Sequence, residues 1–81
     1  MTRTATAADL LDVVIDKLKL KNDAALATEL DMSKPAISKM RNGVLPVGAV
    51  TLVRMHEATG MTIGELREAM GLPARMYIHA R

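Results

Sequence analysis

Apolar residues recur along this chain at helical intervals from Leu10 to Leu66, and the interval changes only after Pro73. Leu10, Val14 and Leu18, with Leu11 and Ile15 beside them, mark one stripe of a helix over residues 7–20, and Thr6 with Asp9 supplies the S/T-x-x-D/E start signal. Asp9, Asp12 and Asp16 form a second, acidic stripe on that helix, read as a solvated face. Leu26, Ala27 and Leu30 define a two-turn helix over residues 23–30, capped by Asn22 and too short to form without tertiary packing. After a break at residues 31–33, the bias against helical angles before proline starts a third helix at Pro35 rather than Lys34, and Asn42-Gly43 ends it. A fourth helix over residues 47–59 is expected to turn Val50, Val53 and Met55 inward and to stop at Gly60. The fifth opens on a Thr62/Glu65 capping box with Met61 and Leu66 as a hydrophobic staple, and closes at Gly71 and Pro73. The pattern predicts an all-α chain of five helices in one compact domain over residues 1–81.

In the C-terminal extension, residues 72–81, the period becomes two: Met76, Ile78 and Ala80 alternate with Arg75, Tyr77, His79 and Arg81. Such a strand needs a partner. It fits either a short β-strand through Met76, Tyr77 and Ile78 paired with its copy in a second subunit, or a tail that packs back on the bundle. At the other end "MTRTAT" fits either an arm that lays Arg3 on DNA or an unordered terminus.

Composition narrows the chemistry. The only aromatic residue is Tyr77 and there are seven Met, so the core is aliphatic, with Met as filler. There is no Cys, and the two histidines, His56 and His79, have no ligand spacing, so no metal site or cofactor is expected. No Ser, His and acid set suggests an active site, and the expectation is a protein that is not an enzyme. The longest uncharged run, residues 42–53, is short and broken by Pro46, Gly43 and Gly48, so neither a signal peptide nor a membrane span is expected. A cytoplasmic, nucleoid-associated location is the expectation that follows.

Net charge is only +2, but its distribution is uneven. Residues 1–31 carry four bases and six acids, whereas residues 32–56 contain no acid at all. Within that stretch, projecting residues 34–42 at about 100° per residue puts Ile37 and Met40 on one side, with Ala36 beside them. Lys34, Pro35, Ser38, Lys39 and Asn42 spread over the other side, and Arg41 lies near the edge. Two short helices over residues 23–42, the second basic and carried by a small bundle, are what a helix-turn-helix requires. The major groove, about 12 Å wide, admits one helix, and a carboxylate on its outer face would meet phosphates. Lys34, Ser38 and Lys39 are therefore the groove-facing candidates, and Arg41 and Asn42 the candidates for phosphate contact. The competing reading is an ordinary solvated surface.

The stretch from Asn22 to Leu66 also resembles the Cro/C1-type (lambda-repressor-like) helix-turn-helix family of phage repressors and bacterial regulators. The resemblance rests on "AALATELDMSKPAISKMRNG" and "VRMHEATGMTIGEL": Ala27 at the helix crossing, Leu26 and Leu30 in the supporting helix, Ile37 in the recognition helix, Asn42-Gly43 at its end. It implies that Pro35 is among the base-facing positions, where its ring suits a thymine methyl, and that Asn22 contacts phosphate. Four positions depart from the family pattern: Asp31 stands in place of the turn glycine, Asp23 at a position often phosphate-contacting, His56 in place of a small residue and Thr59 in place of an aliphatic. The resemblance implies a homodimeric transcriptional repressor of phage or mobile-element type. Its partner would be a palindromic double-stranded DNA operator with half-sites about one helical turn apart, and no small-molecule effector is evident. The rival expectation is a protein-interaction module on the same fold, an antitoxin or anti-regulator that binds through the acidic stripe or the C-terminal segment.

Overall fold

Among the described residues every helix ends in a residue with left-handed backbone angles or hands over to one, which gives five closures. In the computed structural model, which describes residues 5–72, the helices are α1 (Ala7–Leu18), α2 (Asp23–Glu29), α3 (Lys34–Arg41), α4 (Ala49–Thr59) and α5 (Ile63–Ala69), with no strand among the described residues. The left-handed positions are Lys19 (φ 56°), Asp31 (φ 55°), Gly43 (φ 76°), Gly60 (φ 78°) and Gly71 (φ 84°). At Lys19, Asp31, Gly43 and Gly71 the next residue's N–H reaches back five residues, as in Leu20 to Ile15, Met32 to Ala27, Val44 to Lys39 and Leu72 to Arg67. These bonds satisfy carbonyls that a helix end otherwise leaves bare. At Gly71 the glycine is also a steric necessity, since a Cβ there would lie 2.6 Å from the Ala5 carbonyl oxygen.

Helix starts follow the sequence signals. Asp9 accepts from the Thr6 N–H at 2.7 Å, Asn22 Oδ1 from the Ala25 N–H at 2.9 Å, and Ser33 Oγ from the Ala36 N–H at 3.2 Å. Thr62 and Glu65 form a reciprocal pair, at 2.8 and 3.0 Å. Four boundaries differ from expectation: α2 ends at Glu29 with Leu30 as its cap, α4 begins at Ala49 after Gly48 rather than at residue 47, and the end of α1 and the start of α3 also shift. α1 stops at Leu18, not at residue 20, because Lys19 takes the left-handed closure with Leu20 folding over Ile15. α3 begins at Lys34, one residue before Pro35, because Ser33 caps it. Pro35 then occupies the first turn, where its missing N–H would have no helical partner anyway.

α1 packs against α3, α4 and α5, with further contacts between α2 and α3 and between α4 and α5. Leu10, Leu11 and Val14 of α1 meet Leu26, Ala27 and Leu30 at α2, Ile37 and Met40 of α3, Leu52 and Met55 of α4 and Leu66 of α5 in one buried cluster. The expected inward face of α4 needs correction. Met55 is fully buried, but Val50 and Val53 are 66% and 46% exposed, and Thr51 and Leu52 take the interior positions instead. α4 is apolar around most of its circumference, so the neighbours, rather than its own period, select which side is covered. The Arg3 arm and the Met76, Tyr77 and Ile78 strand lie outside the described residues.

Candidate nucleic-acid interface

α3 is amphipathic in the simplest sense, with one side fixed in the core and the other open. Ile37 and Met40 are 0% and 1% exposed, whereas Lys34, Pro35, Ser38, Lys39 and Asn42 are all exposed. The exposed side thus offers two ammonium groups, a hydroxyl, a carboxamide and one apolar ring, and α3 itself carries no acid. Asn22, at the start of α2, is exposed as well, and its Oδ1 accepts from the Ala25 N–H, so its side-chain NH₂ is the group it has left to donate.

Arg41 occupies a different environment from the other candidates. Its Nε and Nη2 donate to both oxygens of Asp23 at 2.9 and 2.8 Å, and its Nη1 donates to Asp12 Oδ1 at 2.9 Å. With side-chain exposures of 27% for Arg41 and 26% for Asp23, this forked pair is half-buried. The hydrogen bond from Arg41 lowers the Asp23 carboxyl below its ordinary value against the opposing effect of burial, with help from the Arg41 and Lys34 charges. The same bond to Asp23 raises the Arg41 guanidinium. The stretch that lacks acids in sequence is therefore supplied with them in space: α1 and α2 each bring one carboxylate to the end of α3. The acidic stripe of α1 is accordingly more than a solvated face, since Asp12 joins this network and Asp9 caps the helix. An open groove between α1, α2 and α3 is lined by Lys21, Asn22, Asp23, Lys34 and Arg41.

The turn between α2 and α3 is held by a residue that nothing in the sequence singled out. Arg54 of α4 donates from Nη1 to the Leu30 carbonyl at 3.1 Å and to the Asp31 carbonyl at 2.9 Å. A cation at these carbonyls satisfies the C-terminal end of α2 and its dipole. Asp31 itself adopts the left-handed angles for which the resemblance would place glycine, and short polar Asp tolerates them better than most residues. The other departures are also accommodated: Thr59 Oγ1 donates to the Met55 carbonyl at 2.7 Å and accepts from the Met61 N–H at 3.0 Å, while His56 Nδ1–H donates to the Met61 carbonyl at 2.6 Å. The only hint of the Arg54 role was a lone cation within an otherwise apolar stretch of α4. Asp12 and Arg41 are 29 residues apart, and no local pattern links them.

Among the described residues no group of three or more His, Cys, Asp or Glu is placed to hold a metal ion, and no helix is long and apolar enough to cross a membrane. No protein-family model, curated protein or solved structure matches the chain.

Proposed function

We propose that this chain is a sequence-specific double-stranded-DNA-binding transcriptional regulator of the helix-turn-helix kind, a dimeric repressor of phage or mobile-element type that acts on a palindromic operator. The observation that supports this reading is the division of α3, which is anchored through Ile37 and Met40 and presents Lys34, Pro35, Ser38 and Lys39 outward with no carboxylate among them. A helix so held can enter a major groove while α2 lies across the backbone. Lys34, Ser38 and Lys39 then donate to base edges, and the Pro35 ring meets a thymine methyl.

Register on the duplex comes from Asn22 and Asn42 at the two ends of the unit, through phosphate oxygens. Arg41 acts here chiefly as a positioning residue. A phosphate approaching it competes with two carboxylates already at 2.8–2.9 Å, so its contribution is to hold the end of α3 against α1 and α2. Arg54 does the same for the turn. Repression on this reading is occlusion of a promoter, in the nucleoid and without a cofactor.

Backbone amide chemical shifts during titration with a 20-base-pair random duplex test the reading without knowledge of the operator. Shifts concentrated at Asn22 and at residues 34–42, weakening steeply with added salt, are the expected result. Shifts absent from α3, or centred on the outer face of α1, would overturn it and favour a protein-interaction module.

A further inference from the structure

The two asparagines of the chain stand in contrasting surroundings. Asn22 precedes the half-buried Asp23, and its Oδ1 is held by the Ala25 N–H at 2.9 Å. Asn42 precedes Gly43, both are exposed, and among the described residues no hydrogen bond holds the Asn42 side chain. A Cβ at Gly43 would meet nothing within 4 Å, so the space around this peptide bond is open. Glycine also brings no side chain to block the approach of its own nitrogen to the carboxamide before it. We propose that Asn42 is a self-modification site, converted to a carboxylate through attack by the Gly43 nitrogen, and that this conversion switches off the groove-facing surface of α3.

The step balances without a cofactor. The Gly43 backbone nitrogen loses its proton to solvent base and bonds to Asn42 Cγ, the Cγ–Nδ2 bond breaks, and ammonia leaves a cyclic imide. Water then opens the ring at either carbonyl, giving aspartate or isoaspartate. The fold sets the pace. Asn42 has ψ 4°, an angle that turns the Gly43 nitrogen away from its side chain, and the Gly43 N–H donates to the Met40 carbonyl at 3.1 Å. The ring therefore closes when this last turn of α3 opens, and opening at a helix end costs far less than unfolding the domain. The consequence falls on the site described above, a step that rests on the DNA reading. A carboxylate in place of the Asn42 amide repels phosphate and opposes the dipole at the C-terminal end of α3. Isoaspartate also adds a carbon to the backbone, which shifts the Gly43, Val44 and Leu45 N–H groups off the Met40 and Lys39 carbonyls that they satisfy. Each copy thus has a binding lifetime set by its own sequence.

Two measurements on the full chain and on its Gly43→Ala variant test this. The added methyl group meets no atom, so the variant is expected to fold despite the positive φ at this position. In the first, both proteins are held in warm, mildly alkaline buffer and sampled by peptide mapping with mass spectrometry. Expected are an amide-to-acid mass change and isoaspartate at Asn42, with the amide retained over the same period at Asn22 and at Asn42 of the variant. An unchanged Asn42 in the folded wild type, or equally fast conversion of Asn22, overturns the inference whether or not DNA is bound. In the second, fresh and converted samples are compared on a selected duplex. Conversion is expected to weaken wild-type binding about tenfold or more, by loss of a charge-assisted hydrogen bond and gain of a repulsion, while the aged variant matches its own fresh sample. Complete conversion with unchanged affinity overturns the inference, whereas a fresh wild type that binds no duplex overturns the DNA reading and leaves the peptide map to decide the modification.

Discussion

The surfaces on either side of Gly43 are built from opposite materials. Before it, α3 exposes Lys34, Ser38 and Lys39 around one proline ring; after it, the connection and the first turns of α4 expose Val44, Leu45, Val50 and Val53, with Glu57 the exposed charge further along the same face of α4. Both helices carry an inward side of two buried apolar residues, Ile37 and Met40 in α3, Leu52 and Met55 in α4. The difference lies in what each leaves in water. A polar side of donors suits a polyanion, because each ammonium is attracted to phosphates and can select a base edge. An exposed valine or leucine has no such attraction to phosphates, and its contact with water costs free energy. The two surfaces meet at Gly43, whose left-handed angles close α3.

Substitutions at α3 and its supports sharpen this comparison. Arg41→Ala should have the largest effect on stability, about 2–3 kcal/mol by urea denaturation, because it leaves the half-buried Asp23 without its forked partner. Arg41→Lys should recover only part of that loss, since an ammonium cannot bridge both carboxylate oxygens. The effect carries a pH signature. Asp23 in the folded chain is lowered below its ordinary value of 3.8, so its contribution is fully present above about pH 4 and is lost as pH falls through the lowered folded value. The stability gap between wild type and Arg41→Ala should therefore narrow on acidification below about pH 4, and a gap that stays constant there would remove Asp23 from the explanation.

Lys39→Ala should leave stability unchanged and weaken binding to a selected duplex by about 1–3 kcal/mol, with relaxed preference at one base pair. A uniform loss on all sequences, with a shallower salt dependence, would make Lys39 a phosphate contact instead. Arg54→Ala removes two hydrogen bonds from the turn and should destabilise by about 1–2 kcal/mol in thermal unfolding. It should also reduce the ratio of specific to non-specific binding, a change that simple loss of stability would not produce below the melting temperature. The smallest effect belongs to Asp31→Gly, which relieves a left-handed non-glycine residue and should stabilise by about 0.5–1 kcal/mol; an unchanged or lowered midpoint would mean that the Asp31 side chain contributes more than its backbone strain costs.

How far the fold could be read from the residues follows from the same contrast. α3 was legible in both faces because lysine, serine and isoleucine differ so sharply that one period fits. α5 was legible because Thr62 and Glu65 announce their own bond. α4 was not, because in residues 47–53 every rotation of the helix buries something apolar, and Thr51 rather than Val50 or Val53 went inside. The end of α1 is not legible in the residues because Lys19, unlike glycine, gives no sign of taking left-handed angles. In the candidate site the exposed donors could be placed from sequence, but the environment of Arg41 could not: its partners Asp23 and Asp12 are 18 and 29 residues away, brought together only by packing of α1, α2 and α3.

Selection from a random double-stranded DNA library at about 150 mM salt bears most directly on the central claim, since that ionic strength suppresses purely electrostatic binding. A palindromic motif with half-sites about one helical turn apart is the expected result, read by α3 from two copies of the chain. Recovery of no enriched sequence, with only weak and salt-sensitive binding, would contradict it and return the exposed face of α3 to ordinary solvated surface.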